Sequence, residues 1–186
     1  MVKMTEQRMT GRRDAIIAAA QELFARNGFA ETSMADIVRA SGVATGTVYR
    51  YFDSKEAIVM AATERVMGIS LVAQDAPALT LRDAIGAMVA AASDEHRGGL
   101  SNQVWAKAVG APALQAMIAE RHARVCATLA RLIEGTVSGE PGAEALQRAE
   151  VVLCAVSGLQ QRMAVGLKVD VEGFTAALIS LAEESE

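Results

Sequence analysis

Residues 34–52 constrain this chain more than any other stretch. Two short apolar-periodic runs, Met34 to Ala40 and Thr45 to Phe52, are separated by Ser41-Gly42-Val43. Each run spells about two helical turns, whereas an isolated helix needs about 12–15 residues even to be marginal. Neither can stand alone. Both must pack on longer neighbours, and Gly42 can supply the positive φ of a tight interhelical turn. The neighbours lie on either side. Asp14 to Asn27 puts Ile16, Ile17, Ala20, Leu23 and Phe24 on one helical face, and Asn27-Gly28 reads as its C-terminal cap. Another helix starts at Lys55, behind Asp53-Ser54, and runs towards Met67 or beyond. Leu23, Phe24, Ile37, Val43, Val48, Phe52 and Ile58 are the expected contacts of this small bundle. Ser33 with Asp36 three residues on reads as a capping box, and Thr45 as the next N-cap. A short helix, a glycine turn and a second short helix held on a bundle make a helix-turn-helix.

Past residue 80 the chain continues as helices. Leu81 to Ser93 is one, closed by a polar loop at Asp94–Gly99. A second is capped at Ser101 or Asn102 and reaches Val109; Gly110-Ala111-Pro112 follows. Ala113–Glu134, Ala143–Leu167 and Val171–Ala182 complete the series. No run alternates as a strand does. With 52% apolar residues, 4% aromatic residues and three prolines, the fold class is all-α. An N-terminal three-helix helix-turn-helix head, residues 1–54, precedes a C-terminal helical bundle, residues 55–186, with 55–70 as the connecting helix.

The net charge of −4 leans away from nucleic acid until it is divided. Residues 1–60 hold eight basic and seven acidic side chains, net +1; the remainder holds ten and fifteen, net −5. Lys3, Arg8, Arg12 and Arg13 face only Glu6 in the first thirteen residues. They read either as an arm along a phosphate backbone or as a solvated terminus. The longest uncharged stretch, Ala108–Ala119, contains Pro112 and is too short to span a membrane. The polar start has no signal-peptide core, and two cysteines, Cys126 and Cys154, fit neither a disulfide framework nor a zinc motif. Both are expected as buried small hydrophobes. The expected setting is cytoplasmic, without metal or cofactor. No phosphate loop, H-E-x-x-H or Cys-His-Asp grouping suggests an enzyme.

The string Thr32-Ser33-Met34-Ala35-Asp36-Ile37-Val38, then Ser41-Gly42-Val43, then Gly46-Thr47-Val48-Tyr49-Arg50-Tyr51-Phe52-Asp53-Ser54-Lys55-Glu56 resembles the DNA-binding signature of TetR-family transcriptional repressors. The likeness reaches back over the 14–28 helix and covers about 45 residues. The remainder is similar only in helix order and in a Trp-bearing helix before an apolar penultimate one. The resemblance implies DNA contacts at Thr47, Tyr49, Tyr51 and Lys55, with Thr45 and Arg50 as variable ones. The family usually has His where Tyr51 stands, and Asp53 adds a charge that DNA repels. From the residues themselves, Gly46 permits close approach. Thr47 offers a hydroxyl and a methyl to base edges. Thr32, Ser33 and Lys55 lie where helix starts could meet phosphates.

The same resemblance implies a ligand pocket and a homodimer on a palindromic operator in double-stranded DNA, with a small, largely apolar effector releasing the dimer. Pocket candidates are Met88, Trp105, Val109, Met117, His122, Cys126 and Met163. Dimer candidates are Val152, Val156, Leu159 and Met163 on one stripe, with Phe174, Leu178 and Leu181 on the last helix, as in a two-fold four-helix bundle. The switch is expected to travel through the 55–67 helix. The competing reading is a helical protein–protein module with no ligand-regulated DNA binding.

Overall fold

The computed structural model describes residues 2–66, 80–136 and 138–183, with helical residues 2–10, 66 and 95–99 described by their backbone alone. Among the described residues there are nine α-helices and no strand. They are α1 (Val2–Glu31), α2 (Met34–Ser41), α3 (Thr45–Tyr51), α4 (Lys55–Val66), α5 (Leu81–Ala92), α6 (Glu95–Ala108), α7 (Pro112–Glu134), α8 (Ala143–Ala164) and α9 (Val171–Glu183). The expected connecting helix is seen as far as Val66; positions 67–70 lie outside the described residues.

The head forms around α1. Ile16, Ile17, Ala20, Leu23 and Phe24 are buried against Ile37 of α2, Val48 and Phe52 behind α3, and Ile58, Val59, Ala61 and Ala62 of α4. Val43 is only half-buried. Burying one such aliphatic side chain contributes about 1.5–3 kcal/mol, which is what holds α2 and α3, eight and seven residues long. Local chemistry sets their limits. The Ser33 hydroxyl accepts from the Asp36 N–H while Asp36 accepts from the Ser33 N–H. Gly42 closes α2 at φ 64. Thr45 is not the cap of α3: the cap position is Ala44, without a side-chain hydrogen bond, and Thr45 is the first helical residue. The helix begins one residue early because the Ala44 carbonyl already accepts from the N–H groups of Thr47 and Val48.

α1 also departs from expectation. It starts at Val2, where a polar sequence shows no apolar period, and it does not stop at Gly28. That residue takes φ 83, ψ 164, a conformation open essentially only to glycine, and α1 resumes for one more turn. Phe29, just past the kink, packs edge-on against Phe24 with ring centroids 4.8 Å apart.

The body buries Ile85, Met88 and Val89 of α5, Cys126 and Leu129 of α7, Val152, Val156 and Leu159 of α8, and Leu178 and Ile179 of α9. Thr80 and Asp83 form a second capping box, at the start of α5. α6 begins at Glu95, so the expected loop at Asp94–Gly99 is largely helical, and Ser101 is a buried interior residue, not a cap. Gly98 and Gly99 each weaken a helix by about 1 kcal/mol, but Leu100, Val104 and Ala108 are buried from α6. That burial outweighs propensity. α8 ends three residues earlier than expected, where Gly166 turns at φ 80. A small third core joins the two halves: Val104, Ala108, Leu114 and Ile118, flanked by Phe29 and Met60 of the head. No helix among the described residues is long and apolar enough to cross a membrane.

Candidate nucleic-acid interface and ligand cavity

α3 is two-faced. Val48 is fully buried, whereas Thr45, Gly46, Tyr49 and Arg50 are exposed and Thr47 half-exposed. Tyr49 leaves 48% of its surface in solvent. A Cβ placed on Gly46 would meet no atom within 4 Å, so nothing inside the protein requires glycine there. All five of these expected contacts are thus open to solvent, wholly or in part.

Four other expected contacts have different surroundings. Thr32 is 1% exposed and its hydroxyl donates to the Gly28 carbonyl at 2.8 Å. Its side chain is a clasp across the α1 kink and cannot meet a phosphate. Tyr51 is also turned inward: its ring packs on the head core and its hydroxyl is buried without a hydrogen-bond partner. The Arg50 guanidinium lies 5.5 Å from that ring, a cation–π arrangement. Periodicity on a seven-residue helix did not separate Tyr49 from Tyr51; only packing did. Ser33 is exposed, but its hydroxyl also donates to Asp36 at 2.6 Å. The two Ser33 hydrogen bonds, helped by the Arg39 cation, hold the Asp36 carboxyl below its ordinary range. Lys55 is half-buried, and its ammonium donates to the carbonyls of Phe29 and Ala30 at 2.9 and 3.5 Å. It fastens α4 to the end of α1.

Arg13 is a further candidate that the motif did not mark. It is exposed, and its guanidinium rests 5.5 Å from the Phe52 ring centroid, which places a cation beside α3. Its position in the basic N-terminal run was the available signal.

In the body, a cavity of about 130 Å³ opens among α5, α6, α7 and α8. Met88, Trp105 and His122 line it, with Ile118, Val125, Leu153 and Val156 as further apolar wall and Ser101, Arg121, Ser157 and Gln160 as polar groups. The other pocket candidates lie elsewhere. Val109 is 82% exposed beyond α6. Met117 packs in the junction core. Cys126 is in the body core, its thiol 3.6 Å from the Leu146 carbonyl. Met163 packs on the outside of that core. A one-residue error in helical phase, about 100°, accounts for Met117 and Cys126, whose neighbours Ile118 and Val125 line the cavity. His122 is bonded to Glu150 at 2.7 Å. Burial, with the Glu150 charge, pushes the Cys126 thiol up, so it stays protonated. Cys154 is exposed, contrary to the expected burial. For Arg121, desolvation and the Arg124 cation lower the pKa while Glu64 opposes them.

The dimer stripe must be corrected as well. Val152, Val156, Leu159 and Leu178 face the protomer's own core. Met163 and Phe174 are half-buried against it, and Leu181 alone of the set is exposed.

Comparison with known proteins agrees with this arrangement. Residues 16–62 match the family model of bacterial regulatory proteins of the tetR family. The HTH-type transcriptional regulator YerO of Bacillus subtilis is 36% identical over 63 residues, 34% of this chain and 22% of that protein. The matched segments span about a quarter of the length of such curated relatives. Over the whole chain, a TetR-family regulator structure from Rhodococcus sp. superposes with a TM-score of 0.72 at 20% identity, covering 93% of this chain and 97% of that one. A transcriptional regulator from Saccharomonospora viridis, in complex with choline, gives 0.70 at 18% identity, covering 95% and 97%. These two likenesses are of fold. Residues 16–62 are thus a domain of the tetR family of bacterial regulatory proteins, and the helical body behind them shares the fold of TetR-family regulators.

Proposed function

We propose that the chain is a sequence-specific DNA-binding repressor that works as a homodimer and is released from a palindromic operator by a small ligand in the body cavity. The observation that carries this reading is the outward face of α3, where Gly46 is unneeded by the fold and is flanked by exposed Thr45, Tyr49 and Arg50. A glycine without an internal reason fits an external surface that must come close, such as a groove wall. Thr47 and Tyr49 then reach base edges or phosphates, and Arg50 and Arg13 neutralise phosphates. Lys55 supports the interface by anchoring α4 to α1.

The ligand has a small apolar body and a polar end. The cavity is smaller than the usual 300–1,000 Å³ of drug-sized sites, and Met88 can adapt its shape to the occupant. One aromatic wall, Trp105, with the Arg121 guanidinium nearby disfavours a quaternary cation such as the choline of the Saccharomonospora protein. A neutral polar or anionic head group suits Ser101, Arg121, His122 and Gln160. The dimer surface is the solvent side of α8 and α9, with Val151, Cys154, Gln161, Ala177 and Leu181 exposed. A dimer is needed because one short recognition helix makes few base contacts; two, about 34–36 Å apart, read two half-sites.

The test is fluorescence anisotropy with the DNA upstream of the chain's own coding sequence. A specific complex binds with a Kd of about 10⁻⁸–10⁻¹¹ M at physiological salt and weakens with salt by a log–log slope of about −0.9 per phosphate neutralised. Tyr49→Ala is expected to weaken binding about tenfold or more without changing the melting temperature. Salt-independent binding, or none, would favour the protein–protein module.

A further inference from the structure

We propose that Gln103 is the positioning residue that couples the body cavity to the DNA-binding head. This rests on the ligand-responsive reading above and adds a route for it that runs through α6 and α1, where the sequence pointed to α4. The route begins at the kink. With Gly28 out of helical conformation, α1 cannot close its own ladder across residues 24–29. Gln103, far along the chain on α6, does it instead. Its Oε1 accepts from the Phe29 N–H at 3.1 Å, and its Nε2 donates to the Phe24 carbonyl at 3.1 Å. One side-chain amide thus satisfies a donor and an acceptor on either side of the kink.

What lies beyond the kink is the reading head. The Gly28 carbonyl takes the Thr32 hydroxyl, and the Phe29 and Ala30 carbonyls take the Lys55 ammonium. Ser33, the cap of α2, follows at once. A change in the angle at Gly28 therefore moves α2, and α3 behind it, relative to the long shaft of α1.

The other end of the lever is the cavity. Ser101 and Trp105 line it and sit two residues to either side of Gln103. Residues two apart on a helix do not share a face, so α6 stands as a wall: cavity on one side, kink on the other. Leu100, also on α6, is buried in the head core. Between head and body lies a cleft of about 590 Å³, with Gln103, Phe29, Lys55 and Met60 among its walls. α6 can shift into it without compressing a packed interior, which would otherwise resist.

Coupling is reciprocal: if cavity occupancy changes DNA affinity, DNA binding must change the cavity. Trp105, the only tryptophan, reports on that wall, so no effector need be known. The experiment titrates the full chain with an operator fragment that it binds by anisotropy, and follows Trp105 emission and acrylamide quenching. In the wild type the tryptophan signal is expected to move with the same midpoint as DNA binding. In Gln103→Met, which keeps the side-chain length and loses both hydrogen bonds, DNA is still bound but the tryptophan response is lost. Hydrogen exchange at the Phe29 amide speeds up while exchange at Ile16–Leu23 does not. Gln103→Glu, which can still accept from Phe29, restores part of the amide protection and part of the response. An unchanged response in Gln103→Met, or a silent Trp105 in DNA-bound wild type, overturns the proposal. Failure of every form to bind DNA overturns the repressor reading instead, and the anisotropy channel tells the two apart.

Discussion

At the scale of residues, single atoms decide between neighbours that the sequence treats alike. Ser33 and Thr32 stand side by side with the same hydroxyl chemistry. One caps α2 in solvent and the other is sealed inside on the Gly28 carbonyl. The Ser33–Asp36 pair also makes α2 sensitive to acid. The Asp36 carboxyl sits below its ordinary 3.8 in the folded head, so its contribution to stability is full above the unfolded-state value. It is lost as pH falls through the lower, folded value. Ser33→Ala is expected to cost about 1 kcal/mol near neutral pH. That cost shrinks in acid, well below the ordinary 3.8, as Asp36 takes up its proton and its charge-assisted bonds weaken. Urea unfolding of both proteins at neutral and acid pH measures it; an undiminished cost in acid would place the effect in the helix and not in the ion. The capping box was legible in the sequence because it spans three residues. The inward turn of Tyr51 was not, because its neighbours come from the rest of the head core.

At the scale of elements, glycines with the same sequence appearance divide by conformation. Gly28 holds φ 83, ψ 164 inside α1, and Gly46 is an ordinary helical residue in open space. Gly28→Ala should lower stability by about 1–3 kcal/mol, since an L side chain is strained in that region. Gly46→Ala should raise stability by several tenths of a kcal/mol, up to about 1, while weakening DNA binding. Thermal unfolding paired with anisotropy shows both signs, and equal destabilisation by the two would contradict the structure. The helix-turn-helix was readable because its turn, cap and apolar spacing are all local. The start of α6 was not: Gly98-Gly99 reads as a break, and only the burial of Leu100 and Val104 against distant helices keeps that segment helical.

At the scale of the whole molecule, the side of α8 that faces inward fixes which side is left for the proposed dimer. The segment Val151-Val152-Leu153 is apolar all round, so its period admits more than one inward face. The fold buries Val152 completely and leaves Val151 half in solvent. Val152→Ala is therefore expected to cost about 2 kcal/mol of stability and leave the oligomer intact. Val151→Glu is expected to leave the fold intact and yield monomers in sedimentation. Dimers that persist in Val151→Glu would move the interface off this face.

The sequence by itself determined the all-helical class, the helix-turn-helix and the capping box of Ser33 with Asp36. Each depends on contacts within about four positions along one helix, where spacing and geometry are the same thing. Tertiary structure alone decided the rotational phase of α8, the enclosure of Thr32 and Tyr51, the membership of the cavity and the grip of Gln103 on the α1 kink. Those depend on which helices meet and at what angle. Residues 24 and 103 have no local relation; they become partners only because α6 packs across the break at Gly28.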